Sequence, residues 1–388
     1  MAAGAKIAAV AAFWIAIGLV QVFNWGHGVE KAAVMLLLLA AMPFILAATR
    51  SAAATQPPRW ATRLVTFAAC VFLGLEIVYL GLRILHPHLI DIATTTLAAG
   101  DALLHGTNPY AAPIDFGPEA QGYSGYKYLP VMIAAYLPLG QLAGERGVLL
   151  TNLLLFLACL WLMRHLARSA LAPFLFLMLP IVPEQIFAKG ATDLVAVLPL
   201  LAGFALMERS PFVAGLCLGL SIAAKPLPGV LFLPCLLPAV RRWHYLGGVA
   251  LGMSPLLPFL LWSPADLFAN LVQFNLSRPP DSTSWMQGAS AASIAVAHAA
   301  LLAAFLGACL YCWRKAPPLP MRWGIGAMLT LAAILTGPGA HHNYQLWWLP
   351  FYALTMGVAL ACNEACEATS LRYTSAIGTD AKGSIGNG

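Results

Sequence analysis

Charged residues are scarce in this chain: Asp, Glu, Lys and Arg make up 9% of its 388 residues, whereas 60% are hydrophobic. A soluble globular domain carries about 25% charged residues. A helix needs roughly 20 apolar residues to cross a bilayer core, and runs such as AAVMLLLLAAMPFILAA (32–48) are apolar on every face. The composition therefore excludes an aqueous globule and predicts an all-α polytopic membrane protein.

Metal-ligand and disulfide patterns are also missing. The predicted outer loops contain no Asp-x-Asp sequence or clustered His and Asp residues, so we predict no metal and no cofactor. The 8 cysteines lie in or at the ends of apolar runs without zinc-ligand spacing, which indicates small core residues. The formal charge of +6 is scattered between apolar runs, which argues against nucleic acid as a partner.

The apolar runs predict about twelve transmembrane helices in one domain, residues 1–366. The predicted spans are 7–24, 31–48, 64–85, 147–163, 169–186, 191–207, 211–224, 227–240, 245–262, 290–313, 323–337 and 344–362. We expect the first run to be a retained helix, since no small-residue cleavage site follows it. The pair 211–224 and 227–240 is short and interrupted by proline, which leaves open a hairpin that does not fully cross. We expect the Gly/Ser/Thr-rich tail at 367–388 to be disordered.

The apolar segment 128–143 decides the predicted topology. If it does not cross, most of the 21 Lys and Arg residues lie on one side, as the positive-inside rule requires of the cytoplasmic side; if it crosses, most lie outside. Pro130 and Pro138 also favour a short, bent helix at the outer interface. Both termini are then cytoplasmic, and two sizeable loops, 86–146 and 263–289, are extracytoplasmic.

Acidic residues gather on the predicted outer side, which makes an extracytoplasmic reaction centre one explanation; ordinary solvated loops are the other. These residues are Asp91, Asp101, Asp115, Glu119, Glu145, Glu184, Asp193, Asp266 and Asp281. Asp91 stands out because it follows the third predicted span at the membrane surface. On a continuous helix Asp101 would lie about 15 Å further along the axis, so the two carboxylates are not expected to act as one pair.

The outer-loop motifs LLHGTNPY (103–110) and YKYLP (126–130) follow Asp91 in an order that resembles the first outer loop of the GT-C glycosyltransferases. The chain is most similar to glycosyltransferase family 87, whose members use polyprenyl-phosphate sugars and include mannosyltransferases. AGLCLGLSIAAKPLPGVLFLP (214–234) resembles the Gly-rich helix that ends in Lys-Pro, and GPGAHHNYQLWWLP (337–350) resembles the late outer histidine. The resemblance covers about residues 64–355. Where the family often carries Gly-Gln-x-Asn, this chain has AKGATD (188–193).

The resemblance implies a GT-C-like bundle in which a mannose or similar hexose passes from a polyprenyl monophosphate to a lipid or glycan acceptor outside the cytoplasm. Asp91 matches the family's catalytic carboxylate and would be the general base of an inverting transfer. The candidates for binding the donor phosphate are Lys225, His341, His342, Lys189 and Arg278, and those for binding substrate are Asp101, Tyr110, Tyr126 and Asp193. The expected location is a bacterial inner membrane, with membrane lipids as further partners.

Simpler roles remain open for these residues. Asp91 could be a helix N-cap, Lys225 could snorkel to the interface, and the histidines could be structural. Glu76 lies inside the third predicted span, and an intramembrane carboxylate favours a transporter or lipid flippase as the alternative function. No inverted hydropathy repeat accompanies it. A non-catalytic scaffold would leave the ordered loop motifs unexplained.

Overall fold

The computed structural model of the protein describes residues 80–116, 122–177, 179, 181–237, 241–281 and 283–361, with isolated positions between 67 and 78. The predicted spans at 7–24 and 31–48, Glu76 and the tail at 367–388 lie outside these residues. The predicted span at 64–85 is described only in part.

All regular secondary structure in the described residues is helical, as predicted. The helices are α1 (Asp91–Leu104), α2 (Pro130–Ala143), α3 (Glu145–Ala167), α4 (Leu171–Leu177), α5 (Ile181–Ala188), α6 (Leu194–Leu206), α7 (Pro211–Ala224), α8 (Pro226–Phe232), α9 (Arg242–Trp262), α10 (264–277), α11 (Ala291–Lys315), α12 (Leu319–Thr336) and α13 (Leu349–Ala361). Two 3₁₀ turns, Pro234–Leu236 and His342–Trp347, follow α8 and precede α13.

Four helices in the described part are long and apolar enough to cross a membrane: α3, α9, α11 and α12. The pair α4 and α5 adds a fifth if it is one bent span. The chain is thus an α-helical protein with several potential membrane spans. The number of potential spans is smaller than the number that we predicted within the described residues.

Short helices account for the difference. The predicted spans at 191–207, 211–224 and 344–362 are helices of 13, 14 and 13 residues, and the one at 227–240 contains a helix of only 7 residues. Proline explains the last case, because it lacks an N–H and fixes φ, so prolines start α8 and interrupt the chain just after it. The predicted spans at 191–207 and 227–240 are therefore too long, and α13 begins later than the span predicted at 344–362. The helix α7 has the predicted bounds and is short, as the prediction allowed.

Glycines pack α7 against α9 and show that the two helices are parallel. A Cβ added to Gly215 would meet the Tyr245 carbonyl oxygen at 2.0 Å, and one added to Gly219 would meet the Val249 carbonyl oxygen at 2.3 Å. The contacts advance in the same direction along both helices. The helices α7 and α9 therefore begin at the same end of the bundle, although α8 is short.

The segment predicted to lie at the outer interface forms α2, a helix of 14 residues that begins at Pro130 and contains Pro138. At about 1.5 Å per residue it is too short to cross a bilayer. The short helix is as predicted, and its not crossing the membrane stays a prediction. Its position relative to the membrane surface stays a prediction.

The helix ends form two opposite ends of the bundle, which we call the site end and the basic end. The site end holds the start of α1 and the connections α5–α6, α7–α8 and α12–α13. At the basic end, the Arg322 guanidinium donates to the carbonyl oxygens of Pro317 at 2.7 Å and Leu237 at 3.3 Å. The basic end also carries Arg164, Arg209, Arg241, Arg242, Arg314 and Lys315.

Candidate functional site

A buried ion pair lies at the site end. Lys225 Nζ is 2.5 Å from Asp193 Oδ1, and the side chains are 5% and 0% exposed. Asp193 also accepts hydrogen bonds from Trp347 Nε1 at 2.5 Å and from Asn343 Nδ2 at 3.0 Å. Protein groups donate hydrogen bonds to both carboxylate oxygens. The charges of Lys225 and Asp193 cancel one another within the buried pair.

Two helix breaks bring the partners together. Asp193 directly precedes α6, where its carbonyl oxygen accepts the Ala196 N–H at 3.1 Å. Lys225 is extended, with φ −140° and ψ 118°, between α7 and α8. Pro226 begins α8 and cannot donate an N–H to continue α7. The break therefore holds an ammonium group at the end of two apolar helices.

Aromatic rings surround the Lys225 ammonium. It lies 5.5 Å from the ring centroids of Tyr128 and Trp347 and 6.0 Å from that of Tyr344. The Tyr344 and Trp347 rings stack at 4.3 Å with an interplanar angle of 23°. Cation–π attraction adds to the ion pair, which further fixes Lys225 within the protein.

A second ionic cluster is partly exposed and consists of Arg278, Asp281 and His341. Asp281 Oδ2 lies 3.0 Å from an Arg278 terminal nitrogen and 3.2 Å from His341 Nε2. That Arg278 nitrogen is also 3.0 Å from His341 Nε2. Side-chain exposures of 14%, 25% and 28%, in the order named, leave the cluster accessible to an anionic ligand.

Hydrogen bonds anchor this cluster to the turn before α13. Partial burial favours the neutral form of Asp281, but hydrogen bonds from Thr283 and the charges of His341 and Arg278 outweigh it and lower the pKa of the carboxyl. The Asp281 N–H donates to the Pro338 carbonyl oxygen at 2.8 Å. Asp281 is therefore ionised at neutral pH and holds Arg278 and His341 at one place.

Tyr344 lies between the two clusters. Burial raises the pKa of its phenol, and the positive charge of Arg278 opposes that rise. The carboxylates of Asp193, Asp281 and Asp91 add to the rise. The Tyr344 ring centroid lies 5.3 Å from that of His341 and 4.3 Å from that of Trp347, so Tyr344 touches both clusters. The Ile90 N–H donates to the Lys189 carbonyl oxygen, which places the start of α1 beside the segment that leads to Asp193.

Asp91 is the first residue of α1 and is exposed. Its carbonyl oxygen accepts the hydroxyl groups of Thr94 and Thr95, but its carboxylate makes no hydrogen bond within the described part of the chain. The N-cap is Ile90, so the alternative of Asp91 as the N-cap is wrong. Burial raises the pKa of the Tyr128 phenol, and the charges of Tyr344 and Asp91 raise it further.

Lys189 borders the site through its backbone. Its carbonyl oxygen accepts the Ile90 N–H at 2.9 Å, which supports the residue just before Asp91. Its ammonium group pairs with Glu184 at 3.0 Å, and both side chains are more than one third exposed. This surface pair is a weaker candidate for anion binding than the second cluster, because it sets one basic side chain against one carboxylate, whereas the second cluster sets two basic side chains against one.

Asp101 lies away from these clusters. It is exposed near the C-terminal end of α1, and one of its carboxylate oxygens is 3.5 Å from His105 Nδ1. Because α1 is unbroken, Asp91 and Asp101 are about 15 Å apart along its axis. The expectation that they do not form one pair is consistent with this geometry.

Tyr110 and Tyr126 lie beneath the site in the hydrophobic core. The Tyr110 hydroxyl donates to the Tyr128 carbonyl oxygen at 2.9 Å, and the Tyr126 hydroxyl is 2.9 Å from Thr96 Oγ1. Both side chains are buried. In this structure they support Tyr128 and α1, and neither presents a free face to a substrate.

The adjacent histidines occupy different positions. His341 precedes the 3₁₀ turn and joins the second cluster, whereas His342 begins the turn. Both are half-buried. The expectation that neighbouring histidines have unequal roles agrees with this geometry, which places His341 against Asp281 and Arg278.

Lys127 connects the segment before α2 to α10, and sequence reasoning gave it no role. Its ammonium donates to Asn270 Oδ1 at 2.5 Å and to the Tyr123 carbonyl oxygen at 2.8 Å. Asn270 Nδ2 donates in turn to the Tyr110 carbonyl oxygen at 2.9 Å. Burial lowers the pKa of Lys127 to about 8. This link joins the segment before α2 to α10, which leads to Arg278.

Sequence reasoning placed Asp281 among the outer acidic residues without giving it a role, and it missed Asn343 and Trp347. Asp281 comes three residues after Arg278, a spacing at which opposite charges commonly interact, so that signal was available. Asn343 and Trp347 lie in the HNYQLWW stretch already associated with the histidines. Nothing local in the sequence indicates that they face Asp193.

The described residues contain no group of three or more His, Cys, Asp or Glu side chains arranged to hold a metal ion. The site instead contains the Lys225 and Arg278 clusters and the Asp91 carboxylate, which makes no hydrogen bond in the described residues. Comparisons with protein-family models, curated proteins and solved structures found no match for the chain.

Proposed function

We propose that the protein is a membrane glycosyltransferase of GT-C type that moves a hexose, such as mannose, from a polyprenyl monophosphate to a lipid or glycan acceptor. The observation that carries the proposal is the exposed, unbonded Asp91 carboxylate, set around Tyr344 with two cation-bearing clusters. The sequence resemblance supplies the donor class. Cytoplasmic termini and an extracytoplasmic site in a bacterial inner membrane belong to the same proposal.

In this mechanism the Asp91 carboxylate accepts the proton of the acceptor hydroxyl. The acceptor oxygen forms a bond to the anomeric carbon as the bond from that carbon to the phosphate oxygen breaks. The bonding electrons leave with the polyprenyl phosphate. Direct displacement inverts the anomeric centre, so a β-linked donor gives an α-linked product.

The departing phosphate needs cationic hydrogen-bond donors. We assign this role to Arg278 and His341, because their cluster is half-exposed and Arg278 can offer a planar pair of donors to phosphate oxygens. Lys225 is the weaker candidate, because Asp193 neutralises it and it is almost fully buried. We propose that this pair instead fixes the turn that carries His341.

The test is incubation of the purified full chain with a panel of polyprenyl-phosphate sugars and extracted membrane lipids, read by mass spectrometry. The proposal expects one donor to lose its sugar and a glycosylated acceptor to appear. Transport of an intact lipid-linked sugar in reconstituted vesicles, with no new glycosidic bond, would favour the flippase hypothesis based on Glu76.

A further inference from the structure

The basic end contains a cluster of cations and tryptophans that the proposed reaction does not use. α9 begins with Arg242 and Trp243, and α11 ends with Trp313, Arg314 and Lys315. The Arg242 guanidinium carbon lies 3.6 Å from the centroid of the Trp313 ring. This cation–π contact places the start of α9 beside the end of α11.

Positive charge in this cluster is not balanced by the helices that form it. Neither α9 nor α11 contains an Asp or Glu residue. Arg241, Arg314 and Lys315 are exposed. Because α9 begins where α11 ends, these exposed cations lie at adjoining helix ends, where a nearby anion would reduce their mutual repulsion.

Apolar surface lies directly next to these cations. Trp243 and Trp313 are 84% and 52% exposed. None of the residues in the most apolar stretch of α11 is buried against the rest of the protein. Tryptophan is enriched where a membrane protein meets lipid headgroups, and the apolar length of α11 suits acyl chains.

We propose that the ends of α9 and α11 form a binding site for the headgroup of an anionic phospholipid, whose acyl chains lie along α11. The phosphate meets Arg241, Arg314 and Lys315, and the indoles of Trp243 and Trp313 lie at the boundary between headgroup and chains. Each Lys or Arg near an anionic lipid surface strengthens binding about fivefold. This site is independent of glycosyl transfer.

The test uses the full chain in detergent, with lipid retention followed by native mass spectrometry. The probes are phosphatidylglycerol, zwitterionic phosphatidylcholine and inorganic phosphate. We expect selective retention of phosphatidylglycerol, with binding about 30-fold weaker in the double variant Arg314→Gln/Lys315→Gln. Lys315→Gln alone is expected to weaken binding about fivefold and provides a milder variant if the double variant folds poorly.

The matched control is Arg164→Gln/Arg168→Gln, which removes two exposed arginines at the end of α3. It should change binding less than about threefold, since those residues are outside the cluster. Equal retention of phosphatidylcholine, equal losses in both double variants, or unchanged binding in Arg314→Gln/Lys315→Gln would overturn the proposal. Competition by inorganic phosphate at equal concentration would show a general anion site and would also overturn it.

Discussion

The two ionic clusters at the site end use similar groups in different surroundings. Lys225 and Asp193 are buried, and Asn343 and Trp347 complete the hydrogen bonding of the acid. Arg278, Asp281 and His341 are each partly exposed. A saturated, buried pair holds structure, whereas a half-exposed cluster can exchange one of its internal contacts for a ligand oxygen.

Substitutions in the two clusters should affect different properties of the protein. Removing one partner of a buried ion pair leaves an uncompensated charge away from water, which destabilises the fold. Removing a cation from a half-exposed cluster leaves its partners accessible to solvent, so the fold is less affected. Stability and donor affinity should therefore respond to different substitutions.

The largest expected effect on the fold is from Lys225→Ala. It leaves the Asp193 carboxylate buried and without its cation, so we expect a loss of about 3–5 kcal/mol in unfolding free energy and a clear fall in melting temperature. Thermal unfolding in detergent measures this. The double variant Lys225→Met/Asp193→Leu removes both charges and should recover part of the loss. Wild-type melting in Lys225→Ala, combined with weaker donor use, would instead make Lys225 a phosphate ligand.

Arg278→Gln should weaken donor binding and leave the fold nearly unchanged, the opposite of Lys225→Ala. Hydrogen bonds between charged groups contribute about 1.5–3 kcal/mol, so we expect donor affinity to fall by about 10- to 100-fold with little change in melting temperature. Arg278→Lys should lie in between, because an ammonium lacks the planar pair of donors. Lys189→Gln is the control. Equal effects of the Lys189 and Arg278 substitutions on donor KM would contradict the assignment.

His341→Ala should weaken donor use more than His342→Ala. A single hydrogen bond contributes about 0.5–1.5 kcal/mol, which corresponds to roughly two- to tenfold in donor KM. Steady-state kinetics of the two variants, normalised for folded protein, makes the comparison. Matching losses would remove the geometric distinction between the neighbours.

The smallest expected effect concerns the loop link at Lys127. The pKa of this lysine is lowered from 10.5 to about 8, so between these values the unfolded chain binds the proton more readily than the folded protein does. Stability should therefore rise as pH increases from about 8 to 10.5. Lys127→Met should show less of this rise in melting temperature. Identical pH profiles would mean that the lysine titrates normally.

The helical class and several site residues can be predicted from the sequence. Which helices pack together and which charged residues pair cannot. The apolar runs indicate where helices lie, yet α6 and α8 are shorter than the spans predicted there and α13 begins later than its predicted span, whereas α7 has the predicted bounds. Their correct placement depends on packing, as the parallel α7 and α9 demonstrate.

Asp193 and Lys225 were both identified as candidates, but as separate residues with different roles. They are 32 positions apart, and only the fold brings their charges together. Asp281 depends even more on tertiary structure, since its N–H donates to Pro338, far along the chain. Local patterns reveal residue types suited to chemistry, whereas pairing requires knowledge of which helix ends meet.

The central claim is that Asp91 is the general base, and Asp91→Asn tests it most directly. Asparagine preserves the size of the side chain but cannot accept the proton of the acceptor, so turnover with a lipid-linked sugar should fall about 10²–10⁴-fold. Melting temperature and donor binding should stay near wild type, because the Asp91 carboxylate makes no hydrogen bond in the described part of the structure. Asp101→Asn, on the same helix, should keep most of the activity. Retained turnover in Asp91→Asn, with loss in Asp101→Asn, would contradict the account.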